Sequence, residues 1–197
     1  MTVKETSAIR QQQIIAAALD IIAKRGLANL TTAAIAQEVG FSEGAIFKHF
    51  PGKEAILAAA VKSVGGRLAS QAAAIAGRKD VPPGEKLQLI LDLHLSLAAT
   101  SPAMPRILFS DELYTSYASL KEIIKGIIAG YTRTLEAIFN EGMETGEFKR
   151  FFPAHTLAFI FIGLIQSTII RWRLDDGIDP RQQGQHIYRA IMFMVGR

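Results

Sequence analysis

The sequence predicts an all-α protein of about nine helices, and three observations carry that reading. Apolar residues recur at spacings of three and four, as in Leu120, Ile123, Ile124, Ile127, Tyr131, Leu135, Ile138 and Phe139, which places them on one helical face. Breakers punctuate such stretches at Gly26, Gly40, Pro51-Gly52, residues 77–84, Gly146, Pro153 and Asp175-Asp176-Gly177, where helices are expected to stop. One run alternates like a strand, with leucine at 87, 89, 91, 93, 95 and 97, but Ile90 and Ala98 interrupt it and no partner strand exists. A helix apolar nearly all round, and therefore buried, accounts for it better.

Composition narrows the function classes. At 197 residues and 49% apolar, the chain can build one or two small domains with a real core. Cysteine is absent, so disulfides, zinc thiolate sites and cysteine nucleophiles are excluded, which suits a cytoplasmic protein. The first residues are polar, and the apolar stretch after Gln13 is broken by Asp20 and Lys24, so no signal peptide is expected. The longest apolar run, residues 157–165, is too short to span a bilayer, and no membrane partner is expected. Net charge is +4, shared equally between residues 1–53 and the remainder. That permits nucleic-acid binding without locating it.

Taken in order, residues 1–6 read as a loose arm, with Lys4 and Arg10 within reach of phosphates or simply solvated. The first helix covers residues 7–25, with Ile15, Ala18, Leu19 and Ile22 as its buried stripe, Lys24 and Arg25 favouring its C-terminal dipole, and Gly26 beyond its end. The second covers residues 32–39 and the third follows Ser42. The fourth, residues 53–76, joins this N-terminal part to the rest, and Gly65-Gly66 marks close packing or a bend. Residues 77–84, GRKDVPPG, form a connector. The fifth helix spans residues 85–99, and Ser101-Pro102 reads as N-cap and first position of a sixth that ends near residue 113. The seventh spans 119–145, the eighth 154–174 and the ninth 180–195.

The stretch TTAAIAQEVGFSEGAIFKHFPGK, residues 31–53, organises the chain. Thr31 is placed to N-cap the second helix, on which Ile35 and Val39 share a face and Ala36 allows close crossing. Gly40 supplies the positive φ of a tight turn, Phe41 plugs the corner, and Ser42 caps the third helix, with Glu43 in its first turn. Ile46 and Phe50 then face inward. This is a helix-turn-helix, whose second helix enters the DNA major groove. With Ile46 and Phe50 inward, Glu43, Gly44, Ala45 and Lys48 face out. Gly44 and Ala45 allow close backbone approach, and the Ala45 methyl suits a thymine methyl. Lys48 would donate to guanine or to a phosphate. Glu43 either accepts from cytosine N4 or serves as a solvated dipole partner. Thr31 and Thr32 sit where hydroxyls and a helix N-terminus meet phosphates.

These residues resemble the TetR family of transcriptional regulators: Leu30-Thr31-Thr32, Ile35-Ala36, Gly40-Phe41-Ser42, Gly44-Ala45-Ile46-Phe47-Lys48-His49-Phe50 and Lys53-Glu54-Ala55-Ile56-Leu57. The resemblance covers roughly residues 8–60. It implies a DNA-binding domain over residues 1–53 and a ligand-binding and dimerisation domain over 77–197. It also implies a phosphate clamp at Lys53, a place for His49 against the first helix or the DNA backbone, and a homodimer through the eighth and ninth helices. The protein is expected to be a repressor that binds a palindromic operator and is released by a small effector. Phe47 stands where the family very often has tyrosine, Ala33 where many members are basic, and Lys48 where an aromatic is frequent. Operator sequence therefore does not transfer by analogy.

The effector pocket implied by the resemblance draws on His94, Met104, Arg106, Phe109, Tyr114, Tyr131, Phe159, Gln166 and Trp172. Each also reads as an ordinary core residue. An apolar pocket with few polar groups suits a hydrophobic or aromatic ligand. An enzyme is the first rival reading. The chain has no phosphate-binding glycine loop, no H-E-x-x-H and no nucleophile elbow, so neither catalytic residues nor a cofactor are expected. Its four histidines, 49, 94, 155 and 186, show no i, i+4 pair, and no metal site is expected. The second rival is a helical interaction module that has lost DNA binding, for which Phe47 and Ala33 argue.

Overall fold

The computed structural model describes residues 6–175 and 177–196. Lys4 and most of the expected N-terminal arm lie outside the described residues, as does Asp176. Among the described residues the chain is built of ten α-helices and one short 3-10 turn. They are α1 (Ser7–Arg25), the turn Leu27–Asn29, α2 (Thr32–Val39), α3 (Glu43–Phe47), α4 (Lys53–Ala76) and α5 (Pro83–Thr100), then α6 (Ala103–Leu108), α7 (Asp111–Ser116), α8 (Ala118–Glu144), α9 (Ala154–Leu174) and α10 (Pro180–Met194). They divide into two compact units: the chain up to Gly66 with Ser101–Lys125, and Arg67–Thr100 with the chain from Gly126 on.

In the first unit α1 is capped by the Thr6 hydroxyl, which accepts from the Ile9 N–H. Its buried stripe is Ile14, Ala17, Ala18, Ile21 and Ile22; of the residues expected from spacing Ala18 and Ile22 are buried, whereas Ile15 and Leu19 are half-buried. Apolar pairs at 14–15 and 21–22 leave the helix phase open by one residue, and tertiary packing chooses. α6 packs on α1. The single sixth helix expected from sequence is two helices, broken at Phe109, with the Ser110 hydroxyl accepting from Leu113 N–H to start α7. Ser101 does not cap α6: Pro102 holds the N-cap position, without a side-chain bond.

The second unit has a core of Leu87, Ile90, Leu91, Leu135, Ile138, Phe139, Leu157, Phe161, Ile165 and Ile191, all nearly inaccessible to water. Phe139 meets Phe161 edge to face at 6.4 Å between centroids, the arrangement ring quadrupoles prefer. α5 is not buried all round as expected. Leu87, Ile90, Leu91 and Leu95 are buried, Leu89, Leu93 and Leu97 only half-buried. The buried face also carries Lys86, 1% exposed, whose ammonium lies 2.7 and 2.8 Å from the two Glu141 carboxylate oxygens. Gly146, at φ 78°, turns the chain back after α8. Phe148 thereby lies on Gly142, where any Cβ would stand 2.1 Å from its ring. α9 is long and apolar enough to cross a membrane, although its longest uninterrupted apolar run is short. Leu157, Ala158, Phe161, Ile165, Thr168 and Ile169 are buried within the unit, so one face of α9 packs into its core.

Candidate nucleic-acid interface

The turn between α2 and α3 is fixed by its own backbone and caps. The Thr31 hydroxyl accepts from Ala34 N–H at 3.0 Å, and the Ser42 hydroxyl accepts from Ala45 N–H at 3.3 Å. Gly40 takes φ 71° and ψ 31°, a left-handed conformation in which a side chain would be strained. Phe41 N–H then reaches back to Ala36 C=O at 2.9 Å. Ile35, Ala36 and Ile46 are buried between the two helices and Phe50 is 9% exposed, as the spacing requires. Val39 and Phe41 are half-buried, and the Arg10 guanidinium lies 4.5 Å over the Phe41 ring.

α3 presents a small polar-apolar surface. Glu43, Gly44, Phe47 and Lys48 are exposed, Phe47 by 52%, and Ala45 is half-buried. A Cβ built on Gly44 would meet nothing within 4 Å, so the backbone there is open to close approach. Two expected contacts are already engaged. The Thr32 hydroxyl donates to the Glu43 carboxylate at 2.5 Å, which ties the first turns of α2 and α3 together. His49 Nδ1 lies 3.2 Å from the Ser7 hydroxyl, and its carbonyl accepts from Gln11 at 3.5 Å. His49 thus fastens the end of α3 to α1. At the start of α4, Lys53 Nζ lies 5.6 Å from the centre of the Tyr117 ring, a neighbour that sequence reasoning missed because it is 64 positions away.

The residues named for an effector do not converge as a group. In the second unit His94 and Tyr131 are brought together, Nδ1 to hydroxyl 3.1 Å apart, with the rings edge to face. Burial pushes the His94 pKa down to about 4 and raises that of Tyr131, so both are neutral near pH 7. Gln166 and Trp172 are half-buried on α9, whereas Phe159 is 78% exposed. In the first unit Met104 and Arg106 lie on α6, with the Arg106 Nε buried and without a hydrogen-bond partner among the described residues. Phe109 and Tyr114 are more than half exposed, and the Tyr114 hydroxyl donates to Leu108 C=O. A groove of about 460 Å³ opens beside α5, lined by Pro82, Glu85, Gln88, Leu89, Asp92 and Tyr188. None of these was singled out from sequence; burial raises the Asp92 pKa.

The His94 shift has a measurable consequence. Between pH 6.5 and about 4 the unfolded chain holds a proton on this residue that the folded protein does not. This contribution to stability is complete above pH 6.5 and is lost as pH falls toward 4. Thermal unfolding at pH 7 and pH 5 should therefore show a larger fall in Tm for the native protein than for His94→Gln. Equal falls would place the acid sensitivity elsewhere.

Comparison with known proteins agrees with this geometry. A family model described as bacterial regulatory proteins, tetR family, matches residues 14–60, which contain α2, α3 and their turn. A second, described as YsiA-like protein, C-terminal region, matches residues 64–192. The Fatty acid metabolism regulator protein of Bacillus subtilis is 30% identical over 85% of each chain. The Nucleoid occlusion factor SlmA of Haemophilus influenzae is 31% identical over 61% of this chain, which spans about half of that protein's length. Among solved structures, the transcriptional regulator FadR from Bacillus subtilis in complex with stearoyl-CoA superimposes with a TM-score of 0.79 at 27% identity, covering 92% of this chain and 97% of that one. The fatty acid degradation regulator FadR from Bacillus halodurans superimposes at 0.81, with 97% of each chain covered and 22% identity, a likeness of fold.

Proposed function

The chain belongs to the TetR family of bacterial regulatory proteins, and from that premise we propose that it is a cytoplasmic repressor that binds a palindromic operator as a homodimer and is released by a long-chain fatty acyl thioester. The observation that carries the reading is the α3 surface. A buried Ile46 and Phe50 hold Gly44, Phe47 and Lys48 outward at the end of a rigid, doubly capped turn. Gly44 and Ala45 admit the backbone to base edges, and Lys48 offers a cation to guanine or phosphate. Thr31 and the N-terminus of α2 face the phosphates. Thr32 and Glu43 act as a brace rather than as readers, and Ser42 and His49 set the position of α3. The missing Phe47 hydroxyl shifts phosphate binding onto Lys48 and Lys53.

Residues 1–53 form the DNA-binding domain, α4 connects, and residues 77–197 bind ligand and dimerise. The dimer uses α9 and α10, where Phe159, Leu174 and Phe193 stand 78%, 82% and 84% exposed, large apolar surface that a protomer alone leaves in water. Two recognition helices then lie about 34–36 Å apart, one turn of DNA. The acyl thioester narrows the hydrophobic or aromatic ligand expected from sequence, and is supported by the stearoyl-CoA-bound relative. His94 and Tyr131, bonded to each other at 3.1 Å, would offer such a ligand a polar pair without charge.

Selection of bound duplexes from a random library at two salt concentrations tests the reading. It should return a palindrome whose affinity falls steeply with salt, because phosphate contacts release counterions. Stearoyl-CoA, and not coenzyme A alone, should then dissociate the complex. Random recovery would leave the helical interaction module as the better account.

A further inference from the structure

The first turn of α4 is held at two neighbouring points by the junction of α7 and α8, all within one compact unit. Lys53 lies over the Tyr117 ring at 5.6 Å from its centre, and the adjacent Glu54 accepts a hydrogen bond from the Ser119 hydroxyl. The Tyr117 backbone is itself anchored. It caps the end of α7 with ψ 69°, and its carbonyl accepts from Lys121 N–H at 3.0 Å to begin α8. Glu54 thus ties the first turn of α4 to the start of α8 beside Lys53. Lys53 is half-buried, and its ammonium lies over the face of the Tyr117 ring. A ring attracts a cation without using up its N–H donors, which remain available to an anion.

We propose that Tyr117 is a positioning residue for DNA binding, its ring holding the Lys53 ammonium where a backbone phosphate of the operator receives it. The inference rests on the operator-binding reading above. A free lysine must surrender the freedom of a long side chain when it grips a phosphate. One already confined by a ring has surrendered part of it beforehand, so the contact forms at lower cost. The phenol hydroxyl has no part in this, and phenylalanine should serve equally well.

The test is a double-mutant cycle on the selected operator duplex, read by fluorescence anisotropy across a salt series. Lys53→Ala should lower the salt slope by about two, one phosphate from each protomer. Tyr117→Leu keeps the bulk and removes the ring face. It should weaken binding roughly tenfold, the size of two exposed cation–π contacts per dimer, and should have little further effect in the Lys53→Ala background. Tyr117→Phe should bind like the native protein. Equal weakening by Tyr117→Leu in both backgrounds, no weakening at all, or a Tyr117→Phe variant as weak as Tyr117→Leu, would each overturn the proposal. Should Tyr117→Leu fail to fold, Tyr117→Phe and Tyr117→Trp must still bind as the native protein does. A native protein that retains no duplex removes the operator reading itself, an outcome distinguished by the silent wild-type control.

Discussion

Arginine in place of Gly163 is expected to leave the protein monomeric and to lower operator affinity by about 100-fold or more. The outward face of α9 carries His155, Phe159, Gly163, Ser167, Ile170 and Leu174, spaced by three and four. Small residues at 163 and 167 sit between large apolar ones, a shape that lets a second helix approach closely. A Cβ at Gly163 would meet nothing within 4 Å in the protomer, so a side chain there disturbs no internal packing, and replacing a mid-helix glycine should favour the helix slightly. Any loss must therefore come from outside the protomer. In a twofold interface the same patch serves both subunits, so each arginine would bring its charge and bulk to a contact that the other also crowds. A monomer then loses the tethering that makes the second half-site intramolecular, worth about 10²–10⁴ in affinity. Light scattering and anisotropy on the selected duplex measure both effects. A Gly163→Arg protein that stays dimeric and keeps its affinity would move the interface off α9. Gly163→Ala, by contrast, should change affinity only a few-fold, because a methyl is the least a close crossing must absorb.

How far the sequence announced this molecule depended on how local the governing interactions were. Thr31, Gly40 and Ser42 lie within a few residues of the groups they cap or turn, and the helix-turn-helix was legible from them alone. The bounds of α1, α2, α4 and α9 agree with the expected ranges because a cap, a glycine or a proline stands at their ends. Where the decision was tertiary, spacing failed. Adjacent apolar pairs left the phase of α1 undetermined. The break between α6 and α7 carried a local signal, Ser110 followed by Asp111 and Glu112, which are N-cap and first-turn residues, but the apolar pattern running through it hid the break. Lys86 was the least legible residue. Nothing local marks it for burial, and Glu141, 55 positions later, supplies the carboxylate that makes its burial possible. His94 could be read as a core histidine, but its partner Tyr131 could not be found from spacing. The outward placement of Glu43, Gly44 and Lys48 on α3 was legible from spacing. Thr32 and Glu43, however, bond to each other across the turn, a contact that no one-dimensional pattern encodes.

Alanine in place of Glu141 is expected to destabilise the protein by about 3 kcal/mol, whereas Lys86→Met should cost less than about 1 kcal/mol. The asymmetry follows from which partner water can reach. The Lys86 side chain is 1% exposed and that of Glu141 37%. Without Glu141 the ammonium remains inside with no carboxylate against it, and removing one member of a buried pair commonly costs about 3–5 kcal/mol. The figure here belongs at the low end, because Glu141 stands at the boundary and solvent enters when it is shortened. Without the ammonium, Glu141 hydrates where it stands, and a methionine occupies the space of the buried lysine stem. The double variant Lys86→Met with Glu141→Ala should therefore be more stable than Glu141→Ala alone, a coupling that a double-mutant cycle isolates. For a chain of this size about 3 kcal/mol lowers Tm by roughly 6–12 °C, compared at equal protomer concentration because any self-association shifts Tm by mass action. An equal loss from both single variants would mean that the pair contributes net stability to the second unit. A negligible loss from Glu141→Ala would mean that the ammonium finds water without it. The expected inequality instead makes Lys86 a residue tolerated because of Glu141, whose removal alone exposes the cost of burying its charge.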